Sequence, residues 1–415
     1  MLYFHIENII RSKYIERIRP YYESDLIKVI TGVRRCGKSV ILSQIISEIQ
    51  NKVDSAHIIK IDLESVEGRK INTCEKLESK ISNLIADNNK YYVFIDEIQN
   101  IKNFEVSLAA IRVSFNCSIF VTGSNSKLLS GKLQDKLTGR AKEFEALPFT
   151  FSEYIEFKRI NHLPIDYDED FKDYLKLGGM PQRFNESNEM EVGRYLRGIF
   201  DSIIEKDVFS AHKKINKNEF KRVANYVLSE SGKLFSSMSA AKALEKGIDN
   251  EKARSKSITI NNYLEYLIEC YLITECEPHY QKGKERLNGT KKYYPVDIGM
   301  KNSLGLNAGI DETFSLEGVI YNELVSRGYE VFYEKLRDGE IDFTIVNGNK
   351  KCFVQVSYYM ENESTLNREY GAFDKIRDNS PKYVFSLDKK DTSRNGITHM
   401  NIIDFLMNKV DLMFS

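Results

Sequence analysis

The run Gly32-Val33-Arg34-Arg35-Cys36-Gly37-Lys38-Ser39 has the spacing Gly-x-x-x-x-Gly-Lys-Ser, and these residue types at this spacing suit a phosphate chain. The two glycines let the backbone fold around the phosphates. Loop N–H groups and the N-terminus of a following helix supply partial positive charge. Lys38 is placed to reach the β and γ phosphates and Ser39 Oγ to ligate Mg²⁺, so ATP with Mg²⁺ is the ligand the motif implies. The nucleotide-contact set read from it is Gly32, Val33, Arg34, Arg35, Cys36, Gly37, Lys38, Ser39 and Val40.

Such a loop calls for an acidic residue at the end of a neighbouring buried strand. Tyr91-Tyr92-Val93-Phe94-Ile95-Asp96-Glu97 supplies one: five apolar or aromatic residues read as a strand covered on both faces, with Asp96 emerging at its C-terminal edge. Asp96 is expected to hold the metal ion through a water, and Glu97 to polarise the attacking water. Ser118–Asn125 reads as a strand that ends in a polar turn, and Asn125 or Ser124 there is a candidate for the γ-phosphate and attacking water, or else a cap for the following helix. Arg140, in Leu137-Thr138-Gly139-Arg140-Ala141, is a candidate for stabilising transition-state charge, from the same chain or from a neighbouring subunit.

The elements that must position these groups are legible. Leu26–Thr31 is a short β-branched strand feeding the loop, and Val40–Ile49 has the apolar spacing of a buried helix. Ala56–Leu63 reads as a further strand, expected to stand between the loop strand and the acidic strand; Thr73–Ala86 reads as an amphipathic stretch and Phe104–Phe115 as a helix. The chain of 415 residues exceeds what one core usually supports, and its 60 basic and 60 acidic side chains balance, which argues against an all-over polyanion binder. Six cysteines without Cys-x-x-Cys or a zinc-spaced histidine point to a reduced, cytoplasmic protein, and no apolar run is long enough for a membrane span.

Across nearly its whole length the sequence resembles the prokaryotic AAA-type ATPases that carry a restriction-endonuclease-like C-terminal region. The resemblance rests on residues 32–39, Phe-Ile-Asp-Glu-Ile-Gln at 94–99, Thr-Gly-Ser-Asn at 122–125, and Gly-Arg-Ala-Lys-Glu-Phe-Glu-Ala-Leu-Pro-Phe-Thr-Phe-Ser-Glu-Tyr at 139–154. Gly178-Gly179-Met180-Pro181, Lys292–Gly299 and Glu340-Ile341-Asp342-Phe343 add to it. It strengthens a finger role for Arg140.

Beyond residue 148 the pattern is helical to about Gly179, as expected of a lid, and resumes at Tyr195–Ile204. Residues 211–256 hold eleven Lys+Arg against five Asp+Glu, an excess of six. Within them Ser237–Lys246 and Ser257–Ile273 read as two helices across a glycine turn, followed by a basic hairpin-like stretch at 280–292. This resembles a winged helix able to dock on double-stranded DNA, although the same charges suit the solvated face of a small helical domain. Further on, a helix at Phe314–Leu324 containing Glu317, then strands at 330–333, 340–346 and 351–357, follow the order of restriction-endonuclease-like folds. Such sites need an Asp and then an acid and a Lys two residues apart. Asp342 is present, but Gln355 and Ser357 stand at the paired positions, and strand alternation gives Lys350 or Lys351 no ready placement there.

The expected fold class is therefore α/β: a P-loop, AAA-type parallel sheet over 1–150, a helical lid over 151–205, a winged-helix-like domain over 206–300 and an inactive restriction-endonuclease-like domain over 301–415. The expected function is Mg²⁺-dependent ATP binding and hydrolysis in a DNA-associated protein, with a homo-oligomer required if Arg140 acts on a neighbour. Two alternatives are a non-hydrolysing ATP/ADP switch, against which Glu97 argues, and an ATP-gated nuclease, against which Gln355 and Ser357 argue.

Overall fold

Three short helical segments precede the first sheet. The computed structural model describes residues 6–124, 139–279, 290–306, 312–336, 339–360 and 362–414. The chain divides into two units: one runs to Pro148 and also takes Glu269–Tyr271, and the other contains Phe149–Ile268 and Leu272 onward.

In the first unit α1 (Ser12–Ile18) leads to β1 (Ile27–Thr31), α2 (Lys38–Gln50), β2 (Ile58–Asp62), α3 (Cys74–Leu84), β3 (Tyr91–Asp96), α4 (Phe104–Ser114), β4 (Cys117–Thr122) and β5 (Ala141–Glu145). The five strands form one parallel sheet in the order β2-β3-β4-β1-β5. Parallel strands buried on both faces need apolar side chains on both, which is why β1, β3 and β4 read as near-continuous apolar runs. One face packs Val29, Ile61, Val93, Ile95, Ile119 and Val121 against Leu77, Ile81, Leu108 and Ile111 of α3 and α4. The order corrects one expectation. The strand at 58–62 lies at the sheet edge, and β4 separates the loop strand from the acidic strand. Sequence adjacency cannot reveal this, because each parallel strand is reached by a crossover that can skip neighbours.

The second unit opens with α5 (Phe151–Ile160), α6 (Tyr167–Leu177) and α7 (Glu189–Ile203). Thr150 and Glu153 form a reciprocal capping box at the start of α5. Next come α8 (Lys217–Ser229), α9 (Ser237–Leu244) and α10 (Asn250–Glu269), then β6 (Ile273–Cys276) paired antiparallel with β7 (Lys292–Pro295). Helix α10 begins seven residues before the expected Ser257, and Ile273 belongs to a strand. The helix is polar over its first turns, so apolar periodicity reported only its packed half, including Ile260, Leu264 and Leu267. Phe235 bridges Lys291 as a one-residue third strand, giving helix, bridge, two helices and a two-stranded ribbon. The tip of the expected basic hairpin, 280–289, lies outside the described residues.

After α11 (Ile298–Ser303) and α12 (Glu312–Ser326), a second sheet is built from β8 (Glu330–Lys335), β9 (Glu340–Asn347), β10 (Lys350–Val356), β11 (Lys382–Ser386) and β12 (Thr398–Asn401) in the order β12-β11-β10-β9-β8. Strands β8, β9 and β10 are antiparallel neighbours, while β11 and β12 run parallel to β10. The crossover from β10 to β11 carries α13 (Glu363–Gly371), and α14 (Ile402–Leu406) follows β12.

Two of the sequence motifs prove to be one fastening. Asp297 is buried and caps α11, accepting from Met300 N at 2.8 Å, and its other oxygen accepts from Gly179 N at 2.7 Å. A Cβ at Gly178 would overlap the Asp297 carboxylate, one at Gly179 would overlap Phe149 O, and one at Gly299 would overlap Leu177 O. The glycines are there because backbones pass each other closely.

Candidate functional site

The phosphate-binding loop leaves β1 with Gly32 at φ 135° and enters α2 from Gly37 at φ 103°, both in the left-handed region that glycine tolerates. Gly32 has a second reason to lack a side chain: its Cβ would overlap Ala146 O. Arg35 also has positive φ, 67°, and is exposed. Val33 and Cys36 are fully buried, and Cys36 Sγ donates to Ala146 O at 3.2 Å, which fastens the loop from beneath. No side chain caps α2, so its first N–H groups stay available for an anion. Lys38 is only 4% exposed and donates from Nζ to Gly32 O and Val33 O, each at 3.1 Å. The ammonium is thus held over the loop, while Ser39 beside it is exposed and Val40 half-buried.

A residue with no local signal completes this loop. Arg11, from before α1, is fully buried and donates to Cys36 O at 2.8 Å and Leu147 O at 2.7 Å. Its guanidinium ties the loop to the segment leaving β5. An isolated arginine far upstream carries no motif, so only the fold finds it.

Asp96 ends β3 and Glu97 follows it directly. Because β4 lies beside β3, Thr122 at the end of β4 joins them: its hydroxyl donates to the Asp96 carboxylate and accepts from Glu97 N at 2.9 Å. Glu97 sits at φ 55°, a left-handed conformation that turns the chain sharply after the strand. Its carboxylate accepts from the Gln99 amide, which lies 3.2 Å from Ser124 Oγ, and Ser124 itself is 3.5 Å from the same carboxylate oxygen. Thr122 and Gln99 carried no assigned role in the sequence. Asn125 lies outside the described residues.

Arg140 stands at the wrong edge of the sheet for its own nucleotide. Ala141 pairs with Ile27 and Glu145 with Thr31, so Arg140 precedes the strand end opposite the loop. Five residues of strand separate them, about 16 Å, which is further than an arginine side chain reaches. The in-chain finger reading is therefore overturned, since β5 runs parallel to β1 and delivers its last residues, not its first, to the loop. Those last residues include Glu145, whose carboxyl is pushed up to about 7 by burial and then by neighbouring Glu143.

In the second unit another cluster assembles. Lys292 of β7 is fully buried, and its Nζ lies 2.7 Å from Glu340, 3.5 Å from Glu317 and 3.8 Å from Asp342. Tyr294 OH donates to Glu317 at 3.1 Å, and Val356 N to Asp342 at 2.8 Å. Burial and then Asp342 push the Glu317 carboxyl up, with Lys292 opposing; burial raises Asp342 as well, again opposed by Lys292. Burial alone would lower Lys292, yet Glu317, Asp342 and Glu340 together hold it above the ordinary lysine range. Gln355 Oε1 accepts from Asp342 N at 3.3 Å, and Lys351 turns to Asp378 at 2.8 Å. The ammonium near these acids therefore comes from another strand and not from β10.

Lys217, Lys221, Lys233, Lys252 and Lys256 each face a carboxylate at 2.7–3.5 Å, but only the partners of Lys217 and Lys221, Glu205 and Asp201, come from outside 211–256, so most of the local basic excess persists. Exposed Lys213, Lys214, Lys242, Lys246 and Arg254 make no ion pair among the described residues.

Comparison with known proteins fits the loop and sheet. Residues 24–155 match the model of an AAA domain, and residues 168–312 match a domain of unknown function, DUF8612. An uncharacterised protein of Haemophilus influenzae is 30% identical over 404 residues, covering 96% of this chain and 98% of the relative. The chain belongs to the family of that protein. An uncharacterised protein of Methanocaldococcus jannaschii is 32% identical over 362 residues, 84% of this chain and 78% of its own. Solved structures similar to this AAA protein include Aeropyrum pernix ORC1 in complex with DNA, at 12% identity, TM-score 0.31, and 74% and 93% coverage of the two chains. The Thermotoga maritima RuvB branch-migration motor gives 15% identity, TM-score 0.32, and 65% and 89% coverage. No helix among the described residues is long and apolar enough to cross a membrane.

Proposed function

We propose that this AAA protein binds ATP with Mg²⁺ at Gly32–Val40 and hydrolyses it. The observation that carries the reading is the join between Asp96, Glu97 and Thr122 at the mouth of β3 and β4, beside a glycine loop that already holds the Lys38 ammonium. Lys38 would exchange its loop carbonyls for phosphate oxygens, and Ser39 and Asp96 would hold the metal ion, which neutralises phosphate charge. Glu97, oriented by Gln99 and Ser124, accepts a proton from or aligns the attacking water. A purely binding switch has no use for that carboxylate. Arg140 acts, on this reading, only on the nucleotide of a neighbouring subunit, which makes a homo-oligomer part of the proposal.

Duplex DNA is the proposed partner. Helices α9 and α10 across their turn, with the β6–β7 ribbon, follow a winged-helix order, and Lys242, Lys246 and Arg254 stand exposed there. Binding of this kind is phosphate-led and weakens steeply with salt. The β8–β12 region follows a restriction-endonuclease-like order and serves as a scaffold rather than a nuclease, because Gln355 and Ser357 replace the acid and the lysine.

Steady-state ATP hydrolysis by wild type and Glu97→Gln, each with and without duplex DNA, tests the reading. Turnover lost in the variant and raised by DNA in wild type is the expected result. Nucleotide binding without turnover in wild type would replace it with the ATP/ADP switch, and turnover indifferent to DNA would remove the DNA partner.

A further inference from the structure

Helix α10 ends on a residue that is costly for the backbone. Leu272 N donates to Leu267 O at 3.0 Å, the bond that closes a left-handed helix ending, and the residue in the left-handed position is Tyr271 at φ 56°. Glycine is the usual occupant, because a Cβ crowds the neighbouring carbonyl there. The Tyr271 side chain is only 5% exposed, and its hydroxyl donates to Glu143 Oε1 at 3.2 Å. Burial, then Glu143 and Glu145, hold the phenol above its ordinary pKa, so it remains a donor. Glu269–Tyr271 fall within the first unit, although Ile268 and Leu272 on either side belong to the second.

The same Glu143 oxygen accepts from Thr31 Oγ1 at 2.7 Å. Thr31 is fully buried, ends β1 and is joined directly to Gly32, the first residue of the phosphate loop. One carboxylate oxygen therefore holds a hydroxyl at the entrance of the loop and another at the end of α10. On the reading above, Lys38 gives up Gly32 O and Val33 O for phosphate oxygens, so the loop residue it releases first in sequence is the neighbour of Thr31. A bulky residue kept in a strained conformation, with its polar end committed to such a junction, points to a use for the strain.

We propose that Tyr271 is a positioning residue that couples the phosphate loop to the end of α10 through Glu143 and Thr31. Its hydroxyl keeps Thr31, and with it Gly32, where phosphate needs them, and phosphate binding in return tightens the turn at Tyr271. The two effects are equal in free energy, because coupling of this kind is reciprocal. The coupling rests on nucleotide binding at Gly32–Val40, as proposed above, and needs neither hydrolysis nor DNA. Since α10 also carries Arg254 on the face proposed for duplex DNA, the link gives nucleotide a route to that helix.

Amide hydrogen exchange over residues 264–274, read by mass spectrometry with and without a non-hydrolysable ATP analogue and Mg²⁺, tests the link in the full chain. Analogue affinity is titrated on the same samples. In wild type the analogue is expected to slow exchange of this segment at least about fivefold; in Tyr271→Phe that response disappears and the affinity falls by a similar factor. A hydroxyl with a merely structural role would instead shift exchange equally with and without the analogue. Tyr271→Gly relieves the left-handed turn, so its exchange without analogue is expected to be no faster than that of wild type, yet the response is lost. An undiminished response in Tyr271→Phe, or a wild type that binds the analogue with no change over 264–274, overturns the coupling. A wild type that binds no analogue overturns the nucleotide reading itself, and the coupling with it. If Tyr271→Phe does not fold, Glu143→Ala removes the shared acceptor at an exposed position and carries the same comparison. Failure of both variants to fold would make the link part of the core and overturn its role in coupling.

Discussion

Thr122 Oγ1 accepts the Glu97 amide at 2.9 Å while donating to the Asp96 carboxylate, so one hydroxyl sets both acids at the end of β3. Thr122→Val preserves the β-branched shape and removes only that hydroxyl. Turnover is expected to fall about 10- to 100-fold with a raised Mg²⁺ requirement, as for other groups that orient metal ligands. The check is steady-state hydrolysis across a Mg²⁺ series. A variant with wild-type rate and wild-type Mg²⁺ dependence would remove Thr122 from the site.

Arg11 braces the loop from below through Cys36 O and Leu147 O. Arg11→Ala is expected to destabilise the unit by about 3 kcal/mol, because two charged hydrogen bonds to buried carbonyls are lost. Nucleotide affinity falls with it. Arg11→Lys restores a charge but not the two-pronged geometry, and recovers only part of either loss. Denaturant melts and nucleotide titrations of the three proteins decide it.

Lys28 lies in the central strand β1, fully buried, with Nζ 2.5 Å from Ser118 Oγ, 3.1 Å from Ser24 O and 4.4 Å from the Phe120 ring centroid. Burial lowers it from 10.5 to about 7, with Lys90 adding to the effect. Between these values the unfolded chain binds a proton that the native one refuses, so the Lys28 contribution to stability rises with pH over about 7 to 10.5. Lys28→Met is therefore expected to stabilise the protein by about 1–3 kcal/mol near pH 7. That advantage should shrink steadily toward pH 10.5. Paired melts at pH 7, 8.5 and 10 measure it, and a gap that widens with pH contradicts it.

Gly179→Ala places a methyl against Phe149 O while Gly179 N is committed to Asp297. The expected cost is at least about 2 kcal/mol in the second unit, since backbone rather than a movable side chain must yield. Asp297→Ala should cost a similar amount by releasing the α11 cap and the Gly179 amide together. Calorimetry on both, and on the combined variant, should show losses well short of additive, because they remove the same fastening. Full additivity would mean that the two motifs act separately.

The loop at Gly32–Ser39 and the acids Asp96 and Glu97 were legible because the chemistry needs those types at fixed spacing and because their strands are apolar on both faces. Helix or strand identity was legible by periodicity for β1, α2, β2, β3, α4, β4 and β8 to β10, whereas β5, α8 and α11 were not read from the sequence. The start of α10 was not, since its polar first turns are held by the helix itself and by solvent. The local charge excess over 211–256 was legible by counting, but not that the fold brings two further acids alongside it, Glu205 beside Lys217 and Asp201 beside Lys221.

By itself, then, the sequence determined what is local: a phosphate loop, an acidic strand end, and the replacement of an acid and a lysine by Gln355 and Ser357. Tertiary structure alone decided which distant groups meet. Parallel crossovers put β4 beside β3 and so brought Thr122 to Asp96, and the direction of β5 put Arg140 at the far edge from its own nucleotide loop. Close backbone packing joined Gly179 to Asp297, and the β6–β7 ribbon carried Lys292 into the acids of α12 and β9. Periodicity records which face of an element is buried; it carries no information about which other element lies against that face.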